Sequence, residues 1–297
     1  MTITIILNGI SRKKKKFYAE IYPHLHKHFA LDVHETQHAT HAEELAAEAV
    51  TQKTSVIIAA GGDGTLHQVI NGALKNNAAE LPPIGVIPLG SGNDFARTCS
   101  IRPDATQLVQ LIKSGSKLTD VGHVTCLDFE GKTITRQFLN VCSVGLGPSV
   151  VMSMAKKRAW GPDLAYITSI VSTFFSHRPQ EVSCSTPSWE WKGKARVVAI
   201  ANGKTYGNGI YIAPDAQQDD GLFNSFIAGE LPLWKFLLYL QNIKGKKKIT
   251  DSMIHYNSTA RVSLHAVEMC PLEADGELVG QLPAEIIIQP GRVRFLR

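Results

Sequence analysis

The sequence predicts an α/β domain built on a parallel sheet, followed by a second domain made mostly of strands. Two observations carry that expectation. Through the first third of the chain, short apolar runs alternate with segments of helical pattern, the spacing of βαβ units. Beyond about Lys117 the helical pattern thins out, and short strand-like runs separated by turn residues take over. At 297 residues the chain is long enough for two ordinary domains, each with its own core.

Thr2–Leu7 is an apolar, β-branched run closed by Asn8-Gly9 and reads as the first strand. Phe17–His28 has helical character interrupted by Pro23, and Leu31–Glu35 is a short strand. Thr40 stands where it can cap the next helix, with Glu43 as its capping-box partner. That helix runs through Gln52 and carries Leu45, Ala49 and nearby alanines as its apolar stripe. Ser55–Ala60 is a continuous apolar strand, Leu66–Asn76 a helix, and Ile84–Pro88 a strand that leads into Gly90-Ser91-Gly92. In the second half, Phe138–Val144, Ala195–Ala201, Leu222–Ile227 and Ala260–Leu264 read as strands. Helical pattern returns around Leu164–Phe175 and around Leu231–Ile243, the latter with Pro232 in its first turn. The domain boundary falls near Lys117–Cys126.

Hydrophobic residues make up 44% and charged residues 19%, which fits a folded protein and excludes a disordered one. No apolar stretch approaches the length that crosses a bilayer, and the N-terminal run lacks the basic start and cleavage site of a signal peptide. A cytosolic protein is expected. The five cysteines include no Cys-x-x-Cys pair, so buried, reduced thiols are expected rather than disulfides or a zinc knuckle. The formal charge of +5 is modest but clustered in Arg12–Lys16 and Lys244–Lys248. Such runs are either solvated surface or attract phosphates and anionic lipid headgroups. A nucleic-acid partner is not expected.

Gly61-Gly62-Asp63-Gly64-Thr65 lies between the Ser55–Ala60 strand and a helix. Glycines let the backbone turn sharply and approach a phosphate, and the helix N-terminus supplies N–H donors and partial positive charge. Thr65 adds a hydroxyl. Asp63 would repel a polyphosphate unless Mg²⁺ lies between them. A tight turn with Asp63 as cap is the plainer alternative, but the order of glycines, aspartate and threonine at a strand's end favours phosphate binding. A second loop, Pro88–Arg97, gathers Ser91, Asn93, Asp94 and Arg97 where a neighbouring strand ends. Two such loops at adjacent strand ends form the crevice in which open α/β sheets bind ligands.

Gly61–Thr65 followed by Gly90–Arg97 resembles the catalytic domain of diacylglycerol kinases, especially the soluble bacterial lipid kinases, with sphingosine, ceramide and, more distantly, NAD kinases as relatives. The likeness continues through Phe138-Leu139-Asn140, Ser143–Leu146, Ala201-Asn202-Gly203, Ile212–Ala216, Asp219–Leu222 and Asp275-Gly276-Glu277, nearly the whole chain in order. The resemblance implies a three-layer nucleotide-binding domain over residues 1–122 with a C-terminal return at about 284–297. It implies a β-sandwich acceptor domain over 123–283, with the active site in the cleft between them. ATP would be touched by Asn8, Ser11, Thr36, Gly61, Gly62, Asp63, Gly64, Thr65, Leu66, His67, Gln68, Gly90, Ser91 and Asn93. Asp275 would be the general base on the acceptor hydroxyl, with Glu277 a second candidate, while Asp63 and Asp94 act with Mg²⁺ on the phosphates. Gln217, Asp220 and Leu222 would hold a structural Mg²⁺, a plain turn being the alternative there.

The same resemblance implies a lipid acceptor met at a membrane surface and is compatible with a homodimer. The first loop departs from the family's Asn-Pro-x-Ser-Gly pattern, reading Asn8-Gly9-Ile10-Ser11-Arg12, and Asn208 stands where a glycine is common. An enzyme of the NAD kinase type and a non-catalytic nucleotide sensor are the competing readings. Retention of Asp63, Asp94 and Asp275 speaks against the sensor. Phe174, Phe175, Trp160 and Trp234 are candidates to line an apolar acceptor channel, or ordinary core. The histidines between His24 and His41, His38-x-x-His41 among them, have no carboxylate motif to complete a metal site.

Overall fold

A computed structural model of the chain describes residues 1–75, 80–156 and 172–297. Trp160, most of the expected Leu164–Phe175 helix and Asn76 lie outside the described residues. The chain divides into two compact units, Met1–Val121 with Pro290–Arg297, and Gly122–Gln289. The first is the α/β domain with its parallel sheet and the second the β-sandwich.

In the first unit β1 (Thr2–Leu7), β2 (Ala30–Glu35), β3 (Val56–Gly61) and β4 (Ile84–Pro88) lie in the order β2-β1-β3-β4. Every neighbouring pair is parallel, with Ile5 opposite Ile58 and Ile57 opposite Ile84. β3 and β4 are buried along their whole length, as expected of strands covered on both faces. β2, half-exposed, is the edge. The helices His41–Thr51 and Asp63–Leu74 pack closely because residue 72 is glycine: a Cβ there would stand 2.0 Å from the Glu43 carbonyl oxygen.

The segment around Pro23 is helical in three pieces, Lys14–Lys16, a π-helical Phe17–Ile21 and Tyr22–His26. Proline cannot donate to the preceding turn, and the wide π turn just before it absorbs that missing bond. The capping box at Thr40 is not formed. The Thr40 side chain caps no backbone N–H; its hydroxyl donates to Glu44 Oε1 (3.3 Å), while Glu43 pairs with Lys75 at 3.7 Å. The stripe of that helix is Ala42, Ala46, Ala49 and Val50, with Leu45 only half-buried.

The second unit is antiparallel. Its strands are the greater part of β5 (Lys117–Leu127), then β6 (Thr133–Phe138), β7 (Val141–Gly145), β8 (Gln180–Ser185), β9 (Glu190–Ala195), β10 (Val197–Ala201), β11 (Phe223–Ala228), β12 (Ile254–Thr259), β13 (Arg261–Ala266), β14 (Pro271–Ala274) and most of β15 (Glu277–Phe295). They run β12-β11-β10-β7-β14-β15, and β13 pairs with both β15 and β8. Alternation along the central strands feeds two cores. Cys142, Val144, Val198 and Ile200 enter one, while Val141, Ala199 and Ala201 enter the other with Leu146, Val150 and Phe226. The run expected as one strand over Phe138–Val144 is two, broken at Leu139-Asn140, whose amides serve the site described below. Among the described residues no helix is long and apolar enough to cross a membrane. All five cysteines are free thiols, four of them buried.

Candidate active site

The first unit brings its two glycine loops together backbone to backbone. Gly62 is the N-cap of helix Asp63–Leu74 and is extended, with no side chain to cap it. Gly90 lies against it so closely that a Cβ on Gly90 would stand 2.5 Å from the Gly62 Cα. The amides of Leu89 (2.8 Å) and Gly90 (3.1 Å) both donate to the Gly61 carbonyl. A Cβ on Gly61 would meet the Thr65 hydroxyl at 2.3 Å, so this position needs glycine for space. The amides of Thr65 and Leu66 donate to the Gly62 carbonyl at 3.1 Å. N–H groups aimed at a ligand therefore come from the loop upstream of Thr65.

Asp63 and Asp94 converge on the second loop. A Cβ on Gly92 would stand 2.9 Å from Asp63 Oδ2 and 3.6 Å from Asp94 Oδ2. The Phe95 amide donates to Asp63 Oδ1 at 3.4 Å, and Asp94 is buried. Two carboxylates facing one point repel unless a cation joins them, and an all-oxygen set suits a hard ion such as Mg²⁺. Asn93, in the left-handed region at φ 53°, clamps the loop by accepting from the Gly90 amide (3.0 Å) and donating to the Gly90 carbonyl (2.8 Å). Arg97 donates to the Gly92 carbonyl at 3.1 Å. A cavity of about 450 Å³ opens beside this loop, lined by Lys13, Gly92, Asn93, Arg97 and Arg102 among others.

Asn8 donates to the Thr65 hydroxyl (3.2 Å), and the Gly9 amide to the Thr36 hydroxyl (3.1 Å), so the first loop, β2 and the Gly61–Thr65 turn meet. A Cβ on Gly9 would stand 2.2 Å from the Thr36 carbonyl oxygen; the glycine in place of the family's proline is fixed by that contact. Ser11 turns into its own loop, where its hydroxyl accepts from the Lys13 amide. Ser91 is exposed and Gln68 half-buried. Leu66 and His67 have side chains buried in the unit's interior.

The second unit holds the other candidates. Ala274 pairs with Glu277, leaving Asp275-Gly276 as a two-residue hairpin loop with φ of 53° and 85°. Asp-Gly is the sequence that such a left-handed pair of central residues favours. The Asp275 carboxylate accepts from three backbone amides: Leu139 to Oδ2 at 2.9 Å, Asn140 to Oδ1 at 2.9 Å and Val141 to Oδ1 at 3.1 Å. Three N–H dipoles of one backbone nest orient it. Glu277 is exposed. Asp220 and Leu222 meet, the Leu222 amide donating to Asp220 Oδ1 at 3.0 Å beside Gly221 (φ 73°), while Gln217 is an exposed residue of the same stretch. One carboxylate and two carbonyls are hard donors that suit Mg²⁺.

Two residues emerge that sequence reasoning did not single out. Lys13 donates to the Gly90 carbonyl at 2.9 Å, whereas Lys14 pairs with Glu35 at 2.9 Å and Lys16 with Glu20 at 3.6 Å. A basic run carries no sign of which lysine turns inward. Glu273 is fully buried opposite Ser143, accepting from the Ser143 hydroxyl and from the Gly276 amide (2.8 Å), with Tyr206 bonded to the same hydroxyl at 3.0 Å. Burial pushes its carboxyl up to about 7, against the hydrogen bonds from Ser143 and Gly276 that favour the charge. An acid between apolar neighbours in a strand was the available signal. The histidine expectation needs correction in one respect: a carboxylate does stand with the pair. His38, His41 and Glu44 have ligand atoms within 4.8 Å of one another on the surface, although Glu44 also accepts from Thr40.

Comparison with known proteins identifies the ancestry of this arrangement. The description "Diacylglycerol kinase catalytic domain" matches residues 2–124, and "YegS C-terminal NAD kinase beta sandwich-like domain" matches residues 140–297. The chain belongs to the diacylglycerol kinase family. Diacylglycerol kinase of Bacillus subtilis (strain 168) is 29% identical over 291 residues, covering 95% of this chain and 92% of its own. A diacylglycerol kinase from Bacillus anthracis str. Sterne has a solved structure that superposes with a TM-score of 0.73 at 20% identity, over 99% of this chain and 96% of its own. Yeast NADH kinase complexed with NADH shares the fold at a TM-score of 0.54 and 10% identity, over 99% of this chain and 82% of its own. Membership of this family makes the protein a phosphotransferase.

Proposed function

We propose that this family member is an ATP- and Mg²⁺-dependent kinase acting on a hydroxyl of diacylglycerol or a related lipid. The reading is carried by the apposition of Gly62 and Gly90 with Asp63 and Asp94 both at Gly92. The phosphates of ATP lie on the two glycine loops, where upstream N–H groups, Asn8, Thr36, Thr65 and Ser91 surround them. Lys13, at the Gly90 carbonyl, and Arg97, at the Gly92 carbonyl, offset their charge. Asp63 and Asp94 are the residues that would hold Mg²⁺, which when bound neutralises charge on the transferring phosphoryl group. Gln217, Asp220 and Leu222 would hold a second, structural ion.

Asp275 takes the proton of the acceptor hydroxyl. The alcohol oxygen bonds to the γ-phosphorus, the bond from that phosphorus to the bridging oxygen breaks, and ADP leaves. The three-amide nest fixes the carboxylate's orientation before the acceptor arrives. The protein, incubated with γ-labelled ATP and Mg²⁺, is offered diacylglycerol, phosphatidylglycerol, sphingosine, ceramide, a soluble alcohol and NAD. Label in phosphatidic acid, lost when Mg²⁺ is chelated, is the expected result. Label in NAD alone would move the assignment to the NAD kinase type, and nucleotide binding with no labelled product would make the chain a sensor.

A further inference from the structure

Helix Leu233–Lys244 carries two apolar faces over Leu233–Tyr239, and among the described side chains only those of one face are covered. Leu233, Phe236 and Tyr239 pack on the second unit's core, where the Phe236 ring lies 4.8 Å from that of Phe174. Trp234, Leu237 and Leu238, spaced i, i+3, i+4, share the opposite face and are 64%, 44% and 57% exposed. Phe174 is therefore core and not channel lining, whereas Phe175, next to it in the chain, is 71% exposed.

The composition around this stripe says what would cover it. Leu233–Lys248 contains five lysines and no Asp or Glu. Asp251 neutralises Lys235 at 2.7 Å, and Asp215 pairs with Lys248. Lys246 and Lys247 remain exposed, Lys246 set over the Tyr211 ring at 5.1 Å. A second copy of the chain would bring this lysine cluster against its own image, and protein interfaces are depleted in lysine. A bilayer with anionic headgroups fits both features: tryptophan and leucine enter the headgroup boundary while lysines meet the surface charge.

The geometry points to the Trp234–Leu237–Leu238 face, with Lys246 and Lys247, as the surface that docks this protein on an anionic membrane. Its purpose rests on the lipid-kinase reading; its test does not, because binding is measured without nucleotide or acceptor. Vesicles of phosphatidylglycerol and phosphatidylcholine are mixed with the full chain. Tryptophan emission shifts to the blue and is quenched by brominated acyl chains, and the quench disappears in Trp234→Phe. Leu237→Gln/Leu238→Gln, checked for a native circular dichroism spectrum and melting profile, loses at least about tenfold in vesicle partitioning. Lys246→Gln/Lys247→Gln weakens binding about tenfold on phosphatidylglycerol vesicles and leaves phosphatidylcholine binding unchanged.

Undiminished vesicle binding by the leucine double variant overturns the assignment. So does a dimer in sedimentation that the same variant dissolves, which would give the face to a second copy. A short-chain diacylglycerol, below its aggregation threshold, is phosphorylated by both the wild type and that variant if the lipid-kinase reading holds. Failure of transfer with intact vesicle docking would reject that reading alone.

Discussion

Glu273 is the residue at which burial and chemistry are most sharply opposed. Its carboxyl, raised to about 7 by desolvation, stays protonated in the folded chain over a range where the unfolded chain has already ionised. The folded state binds more protons there, so stability is fully present below the ordinary carboxyl value near 4.5 and falls as pH rises through 7. Asp275 adds to the upward shift, and the Cys142 thiol beside it is itself driven up by burial. Glu273→Gln keeps an acceptor for the Gly276 amide and removes the ionisation. Urea melts between pH 5 and 8 are expected to show the wild type losing about 2–3 kcal/mol that the variant keeps; parallel curves would reject the buried-acid account. Asp275 needs a different control. Asp275→Ala removes the acceptor of three amides, so the variant is expected to lose about 2–4 kcal/mol of stability as well as phosphoryl transfer. Nucleotide affinity should stay within about twofold. A folded Asp275→Ala with wild-type turnover would remove Asp275 from the base role.

At the scale of elements, the loops matter through what they exclude. Gly90→Ala places a methyl where the Gly62 Cα already stands, forcing the loops apart without touching the core. Calorimetric titration with ATP is expected to show an affinity loss of about tenfold or more while the melting temperature falls only slightly; unchanged affinity would detach the loop pairing from nucleotide binding. Much of this was legible in the sequence. Apolar runs ending in glycine announced β3 and β4, because strands buried on both faces have little room for polar residues. Asp-Gly at 275–276 carries its turn locally too, because a two-residue loop with positive φ at both centres favours that pair. Other features were not. Thr40 and Glu43 spell a capping box, yet Glu44 one turn on takes the Thr40 hydroxyl, and Lys75, far along the chain, pairs with Glu43. Nothing in Arg12–Lys16 distinguishes Lys13, whose partner is the backbone of residue 90.

For the whole molecule, the sequence conveyed a class of architecture and the order of its halves, because the alternation of periodicities is a local signal summed over many residues. The division at Val121 and Pro290 depends on non-local pairing that no window of sequence contains. Phe295, fully buried, pairs with Ile84 in parallel and packs edge-on against Phe95 at 5.0 Å. Phe295→Ala is expected to cost about 3–5 kcal/mol. Limited proteolysis should then open Met1–Val121 first; equal protection in wild type and variant would show that the final strand is dispensable there.

That last strand also sets a schedule. During synthesis β4 leaves the ribosome as a raw edge of a parallel sheet, and the whole of Gly122–Gln289 is made before Phe295 can cover it. The α/β unit cannot close on its own as it emerges. The nascent chain must carry an open, apolar sheet margin until Phe295 emerges, a window in which chaperone capture or mispairing between neighbouring chains competes with completion of the α/β unit.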